Sequence, residues 1–94
     1  MIKSFKDKET EKIFNQEYSR KIPRQIQYRA LKKLILIQSA EKEYDLIVPL
    51  SNHFEHLKGK RKDECSIRIN DQWRICFKFE NGNAYDVGVE DYHK

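Results

Sequence analysis

The C-terminal third of the chain alternates between apolar and polar residues, and this alternation constrains the fold more than any other feature. The apolar members all occupy odd positions: Ile67, Ile69, Trp73, Ile75, Phe77, Phe79, Tyr85, Val87 and Val89. A repeat of two residues is the period of a β-strand with one buried face. Turn-forming residues interrupt the pattern at 70–72 (NDQ) and 81–83 (NGN). The segment therefore predicts a three-stranded antiparallel meander.

The buried face of this meander also fixes the register, because a slip of one residue would turn the apolar side chains outward. A three-residue loop at 70–72 pairs Ile67 with Ile75. A three-residue loop at 81–83 pairs Ile75 with Val89, Phe77 with Val87 and Phe79 with Tyr85. Odd positions then face odd positions throughout the predicted sheet.

The even-numbered face of the meander carries two arginines side by side. The register places Arg68 opposite Arg74, and Arg74 opposite Glu90. Like charges directly opposed destabilise a sheet, so the arginines call for a partner. One interpretation is a structural ion pair with Glu90, and the other is a phosphate site that matches the arginine fork. In both, Arg74 is expected to be partly exposed, beside a shallow floor of small residues: Ser66, Cys76 and Gly88.

Two helices are predicted before the meander. Residues 2–6 alternate weakly and predict a short strand, and Asp7 can then cap a first helix. Pro23 suits the first turn of a second helix, whose apolar face is Ile26, Ala30, Leu34 and Ile37. Residues 45–63 predict a loop. The expected fold is a single α+β domain over residues 1–94, with an antiparallel sheet (N-terminal strand plus C-terminal three-stranded meander) and two helices packed on one face.

Composition restricts the partners of this domain. Among 94 residues, 19 Lys and Arg against 15 Asp and Glu give a net charge of +4, which favours a polyanionic partner. The longest apolar run falls far short of the ~20 residues of a membrane span, and residues 1–6 lack the apolar region of a signal peptide. We therefore expect a cytoplasmic protein without a membrane partner. Cys65 and Cys76 point to opposite faces of the predicted sheet and should stay reduced.

The chain ends with an acid, a phenol and an imidazole, Asp91, Tyr92 and His93, a set that can transfer protons. From the residues alone, a polar tail in which Tyr92 packs is the better-supported interpretation. His53 and His56 lie three residues apart and lack a clear third ligand, so no metal and no other cofactor is expected.

Three segments carry a resemblance to a known family: 57–62 (LKGKRK), 66–77 (SIRINDQWRICF) and 89–93 (VEDYH), together with the opening residues 1–5 (MIKSF). The chain resembles the HigB toxins of the RelE/ParE superfamily along essentially its whole length. The resemblance implies a RelE/ParE-like fold and a ribosome-dependent mRNA endoribonuclease that inhibits translation and arrests growth. It also implies a helix-turn-helix antitoxin of the HigA type, through whose complex operator DNA would be contacted indirectly.

The same resemblance implies roles for individual residues. The positions tied to RNA cleavage are Lys58, Arg74, Asp91, Tyr92 and His93, and the positions expected to bind RNA are Lys60, Arg61, Lys62 and Arg68. Metal-independent cleavage fits this set: the RNA 2′-OH attacks the adjacent phosphate and leaves a cyclic phosphate. Lys58 and Arg74 suit the developing negative charge, and His93 with Tyr92 or Asp91 suits the proton transfers.

Two questions stay open at this point. Some relatives carry a histidine two residues before the leucine of the Leu-Lys-Gly run, where this chain has Glu55, so the general base is Glu55, His56 or His93. The alternative functions are a ParE-like toxin that inhibits gyrase and a non-enzymatic RNA-binding module of the same fold. The terminal Asp91, Tyr92 and His93 distinguish them, because a nuclease needs proton-transfer groups and a binding module does not.

Overall fold

The computed structural model of the chain describes residues 1–92. A four-stranded antiparallel sheet has the order β1-β2-β3-β4, and helices lie against one face of it, so the α+β class is confirmed. The helices are α1 (Lys8–Phe14), α2 (Arg24–Ser39) and α3 (Tyr44–Ile47), and the strands are β1 (Glu55–His56), β2 (Cys65–Arg68), β3 (Trp73–Glu80) and β4 (Asn83–Asp91). Two 3₁₀ turns, Leu50–Asn52 and Gly59–Arg61, flank β1.

The first two helices begin where the sequence places them. The Asp7 carboxylate caps α1 by accepting a hydrogen bond from the Thr10 amide at 2.7 Å. The Thr10 hydroxyl accepts in turn from the Val89 amide at 2.9 Å, which ties the start of α1 to β4. Pro23 is the N-cap of α2. The predicted apolar face of α2 is buried, as its spacing indicates: Ile26, Ala30, Leu34 and Ile37.

The hydrophobic core lies between α2 and the odd-numbered face of the sheet. Leu34 and Ile37 of α2 are fully buried, as are Ile67, Ile75 and Phe77 of the sheet. Burial of each such side chain contributes roughly 1.5–3 kcal/mol to the free energy of unfolding. This packing decides which face of the meander remains for polar groups, namely the even-numbered one.

The β2–β3 register is confirmed, with Ile67 opposite Ile75 and Arg68 opposite Arg74. The β3–β4 hairpin agrees near its open end, where Arg74 lies opposite Glu90 and Ile75 opposite Val89. The predicted three-residue loop at 81–83 is wrong. Glu80 pairs with Asn83 around a two-residue turn, in which Asn81 and Gly82 have φ of 54° and 80°.

A β-bulge in β4 reconciles this tight turn with the register at the open end. The pairing shifts between Cys76 and Lys78, and Asp86 has φ of 53°. The extra residue on β4 changes which side chains face inward. Ala84 is fully buried and Tyr85 is exposed, whereas the unbroken alternation predicts that Tyr85 is inside.

The N-terminal segment follows the edge of β4, but it is not the continuous antiparallel strand that was expected. It forms two isolated parallel bridges, Ile2 with Ala84 and Phe5 with Val87. The Lys3 amide donates to the Ala84 carbonyl at 2.7 Å. Asp7 begins the cap of α1 directly afterwards, which leaves no room for a longer ladder.

The predicted loop at 45–63 contains more structure than its sequence indicates. It includes α3, both 3₁₀ turns and β1, which pairs with β2 at the sheet edge. Asn52 is fully buried and holds this region together. Its side chain donates to the Leu46 carbonyl at 3.0 Å and accepts from Lys33 Nζ of α2 at 2.5 Å. Among the helices of residues 1–92, none is long and apolar enough to cross a bilayer.

Candidate active site

Arg74 is a buried residue at the centre of the even-numbered face of the sheet. Its relative exposure is 8%, so the expectation that it is partly exposed is wrong. Nε donates to the Ser66 hydroxyl at 2.8 Å, and Nη2 donates to the Ser66 carbonyl at 3.3 Å and to the His53 carbonyl. The guanidinium therefore joins β2, β3 and the turn before β1.

The turn before β1 covers Arg74 and brings an acid to it. His53 has a left-handed backbone, with φ of 45° and ψ of 52°, at the end of the 3₁₀ turn Leu50–Asn52. Two residues later, Glu55 pairs with Ser66 at the sheet edge. The Glu55 carboxylate lies 3.9 Å from Arg74 Nη2 and is itself about half exposed, with 55% of its side chain accessible. A buried cation thus lies next to a carboxylate that solvent can reach.

The predicted ion pair between Arg74 and Glu90 does not form, although the two residues are opposite each other in the sheet. Glu90 binds Arg61, with Nη1–Oε1 and Nη2–Oε2 distances of 2.9 and 2.6 Å. Arg68 pairs with Asp71, so the guanidiniums of Arg68 and Arg74 do not share a partner. The two opposed arginines therefore lie beside different carboxylates, Arg68 beside Asp71 and Arg74 beside Glu55.

The row of small residues is not an open floor. Ser66 and Cys76 are 0% and 1% exposed, and Gly88 is also buried. A Cβ atom on Gly88 would lie 3.1 Å from the Lys6 Cβ, so the N-terminal segment covers this position. Burial raises the pKa of the Cys76 thiol to about 12, with a further contribution from Glu90. These three residues therefore do not form the open floor that was expected.

A cleft opens instead beside β1, at the end of β4. Its volume is about 520 Å³, and its lining residues are Glu55, His56, Leu57, Lys58 and Tyr92. The Tyr92 ring lies over the Arg74 guanidinium, and the Cζ atom of Arg74 lies 5.6 Å from the centroid of the Tyr92 ring. The Tyr92 amide donates to the Gln72 carbonyl at 2.7 Å, which continues the edge of the sheet beyond β4. The cleft thus gathers an ammonium, a phenol, a carboxylate and an imidazole.

The protonation state of Tyr92 follows from its surroundings. Burial raises the pKa of the phenol, and the Glu55 carboxylate acts in the same direction, against the positive charges of Arg74 and Arg61. The phenol therefore stays protonated at neutral pH and can donate a proton. His56, which lies 3.1 Å from Glu43 and stands edge-on to Phe54, is largely exposed and can meet a ligand.

The other described residues singled out in the sequence are not part of the cleft lining. Asp91 ends β4 and accepts a hydrogen bond from Gln72 Nε2 at 3.1 Å. Lys60 and Lys62 are exposed on the segment after Lys58, whereas Arg61 is held by carboxylates. His93 lies outside the described residues.

Sequence reasoning missed the residues that hold Arg74. Ser66 was noted only for its size, although the predicted register already made it a diagonal neighbour of Arg74 across β2 and β3. His53 acts through its carbonyl, and no side-chain pattern signals that role. Glu64 was likewise missed as a partner of Arg61.

Two further features bear on the choice of site. A second cavity of about 360 Å³ lies between α1 and α2, and most of its lining is uncharged, including Ile13, Leu31, Tyr18 and Tyr28, with Glu17 and Arg24 as its charged members. Across residues 1–92, no three His, Cys, Asp or Glu side chains are grouped so that they could hold a metal ion. The cleft beside β1 is therefore the best candidate for chemistry on a phosphate.

A small four-stranded antiparallel sheet with helices packed on one face is the architecture of a RelE-like protein. The profile of the HigB-like toxin family, described as the RelE-like toxin of type II toxin–antitoxin system HigB, matches residues 3–93. The chain belongs to this family of type II toxins.

Two curated relatives align with the chain over essentially the full length of both proteins. The chain is 39% identical to "Toxin HigB-1" of Vibrio cholerae over 95 aligned residues, which cover 100% of this chain and 99% of the relative. It is 37% identical to "Endoribonuclease HigB" of Proteus vulgaris, with 99% and 100% of the two chains covered. An uncharacterised protein of Haemophilus influenzae is 33% identical over 77% of this chain and 71% of its own length.

Proposed function

We propose that this toxin is an endoribonuclease that cleaves mRNA on the ribosome, and that a helix-turn-helix antitoxin of the HigA type neutralises it. The observation that carries the proposal is the cleft in which Lys58 and Tyr92 face Glu55 and His56, above the buried Arg74. The name of the Proteus vulgaris relative, an endoribonuclease, supports it. In this role the protein acts in the cytoplasm as one domain, and it meets operator DNA only through the antitoxin complex.

The reaction requires three catalytic functions from the cleft: a general base, a group that stabilises negative charge and a general acid. The RNA 2′-OH loses a proton and attacks the adjacent phosphate, the phosphorane gains negative charge, and the leaving 5′-oxygen takes up a proton. The products are a 2′,3′-cyclic phosphate and a 5′-OH. Lys58 is exposed at the cleft and can contact a phosphate oxygen directly. Arg74 adds a positive charge from below the Tyr92 ring and holds the β1 edge in place.

Tyr92 is the proton donor in this proposal, because its phenol lines the cleft and is protonated at neutral pH. The general base is Glu55, His56 or His93. Glu55 is the carboxylate nearest to Arg74, and His56 lines the same cleft. Three single variants separate them: Glu55→Gln, His56→Gln and His93→Gln. Loss of the true base removes one limb of the pH profile of kcat, whereas loss of a bystander leaves both limbs in place.

We further propose that cleavage needs no metal ion. The grouping of acids and imidazoles within residues 1–92 supports this, because it offers no set of three ligands. Enzyme treated with EDTA and then transferred to a magnesium buffer should cleave mRNA on translating ribosomes without added zinc or manganese. Activity that returns only with a transition metal would contradict the proposal.

The central experiment is to induce the chain in cells and map the 5′ ends of mRNA. Cuts inside translated codons are expected, and Tyr92→Phe should abolish them while Tyr85→Phe, an exposed tyrosine outside the cleft, leaves them unchanged. Cuts in naked RNA at the same rate would argue against ribosome dependence. Broken chromosomal DNA with intact mRNA would favour a ParE-like gyrase inhibitor instead.

Partner control has its own test. Co-expression with the small DNA-binding protein encoded beside the toxin should relieve growth arrest and yield a stable complex. A neighbouring gene product that neither binds nor protects would contradict the assignment of a HigA-type partner.

A further inference from the structure

We propose that Arg61 is a positioning residue that fastens the segment carrying Lys58 to the strand end carrying Asp91 and Tyr92, and that it does not contact RNA. This inference rests on the proposed function of the cleft. Lys58 and Tyr92 belong to segments more than thirty residues apart in the chain, so their separation in space must be fixed by contacts between those segments.

The geometry of Arg61 is that of a clamp. The residue ends the 3₁₀ turn Gly59–Arg61, whose N-cap is Lys58. Its guanidinium binds Glu90 through two parallel hydrogen bonds of 2.9 and 2.6 Å, and Glu90 immediately precedes Asp91 and Tyr92. It also donates to Glu64 from Nε at 3.1 Å and from Nη2 at 2.8 Å. The Arg61 side chain therefore links Glu64, in its own segment, to Glu90 of β4.

Among the described residues, few other contacts hold the turn after Lys58 against β4. Gly59 lies directly after Lys58 with φ of 67°, and a Cβ atom there would meet no heavy atom within 4 Å, so no tertiary contact restrains this side of the turn. The turn is closed by the Leu57 amide, which donates to the Glu64 carbonyl at 2.9 Å, and by the Glu64 amide, which donates to Arg61. These bonds fix the shape of the turn, and the pair with Glu90 fixes its place against β4.

The same geometry argues against the RNA contact that was expected for Arg61. Nε, Nη1 and Nη2 all donate to carboxylates, and two carboxylates flank a single guanidinium. A phosphate would have to displace Glu64 or Glu90 and would meet the negative charge of the other. Hydrogen bonds to Glu64 and then Glu90 raise the pKa of Arg61, so the cation persists at every physiological pH. The neighbouring Lys60 and Lys62 are exposed and remain available to RNA.

A comparison of variants separates positioning from RNA binding. Arg61→Gln should lower kcat about tenfold or more and leave KM and the salt dependence of RNA affinity unchanged. Lys60→Gln is the matched control: loss of one phosphate contact should weaken binding and reduce the salt slope by about 1. Glu90→Gln should reproduce the kcat defect although it removes a negative charge, and Arg61→Gln with Glu90→Gln together should be no worse than either alone.

Amide hydrogen exchange tests, in the absence of RNA, whether Arg61 holds the turn after Lys58 in place. The amides of Leu57 and Glu64 should exchange about tenfold faster in Arg61→Gln and in Glu90→Gln, while core amides of β3 keep their protection. Arg61→Lys, which keeps the charge but loses the fork, should give an intermediate effect and provides a milder variant if Arg61→Gln unfolds. This readout stands even if the wild-type chain does not cleave RNA.

A raised KM with unchanged kcat in Arg61→Gln, together with a reduced salt slope, would overturn the proposal and make Arg61 an RNA ligand. Unchanged exchange at Leu57 and Glu64 in both Arg61→Gln and Glu90→Gln would also overturn it, because the clamp would then hold nothing in place.

Discussion

Replacement of Arg74 by alanine should destabilise the fold strongly, in addition to any effect on cleavage. The side chain is 10% exposed and donates to the hydroxyl and carbonyl of Ser66 and to the carbonyl of His53. Its removal leaves at least two buried acceptors without a donor, and each such group costs about 1–3 kcal/mol. The free energy of unfolding should therefore fall by about 2–6 kcal/mol, against a total of roughly 5–15 kcal/mol for a domain.

Circular dichroism during thermal and urea unfolding tests this magnitude. For a domain of this size, each kcal/mol corresponds to about 4–8 °C in Tm, so Arg74→Ala should lower Tm by roughly 10 °C or more. Arg68→Ala is the matched control on the neighbouring strand. Its partner Asp71 is 96% exposed, so its loss should cost no more than about 1 kcal/mol. A Tm for Arg74→Ala within about 3 °C of the wild type would refute the argument that burial and hydrogen bonding make this arginine structural.

Three further predictions concern the fold around the site. Gly82→Ala should cost about 1–3 kcal/mol in urea unfolding, because φ is 80° and the new Cβ would lie 3.0 Å from the Glu41 carbonyl oxygen; Gly59→Ala, at φ of 67° in open space, should cost less, and equal losses would exclude the contact with Glu41 as a cause. Asp7→Ala should cost about 1 kcal/mol by the same measurement, since it removes the cap of α1, and an unchanged midpoint would contradict that role. Burial opposes ionisation of Glu90, but Arg61 outweighs it and holds the pKa of Glu90 below its ordinary value. The stabilisation from Glu90 should thus be complete above about pH 5 and be lost as pH falls below about 4, where wild type and Glu90→Gln should converge in stability; a difference that persists in acid would count against the ion pair.

The sequence predicts a site residue when its side chain belongs to a recognisable motif, and it fails when the contact involves a backbone atom or a distant segment. Lys58 and Tyr92 were singled out through the resemblance to HigB toxins, and both line the cleft. The burial of Arg74 could not be predicted, because it depends on a turn that contributes a backbone carbonyl and not a characteristic side chain. The ion pair of Arg74 with Glu90, one of the two interpretations of the opposed arginines, does not form for a related reason. Strand pairing gives the Cα neighbour, Arg74, whereas the carboxylate reaches sideways to Arg61 in a different segment.

Local sequence patterns by themselves determined the first two helices and the β2–β3 pair. The spacing of Ile26, Ala30, Leu34 and Ile37 marks the buried face of α2, and the alternation from 67 to 77 sets the β2–β3 register. Both follow from the repeat of the backbone, since a helix or strand presents the same face at fixed intervals. Neighbouring residues alone carry this information.

Tertiary structure decided between backbone conformations that are compatible with the same alternation of apolar and polar residues. A three-residue loop and a two-residue turn with a bulge both place Ile75 opposite Val89, and only the assembled β3–β4 pair selects the bulge at Asp86. The two-residue β1 is likewise too short to have a period, and it exists because β2 offers it an edge. Glu55, Arg61 and Arg74 acquire their partners from these long-range placements. The residue types along the sequence therefore determine which chemical groups the cleft can contain. The distances between those groups depend on contacts between distant segments, which no local pattern encodes.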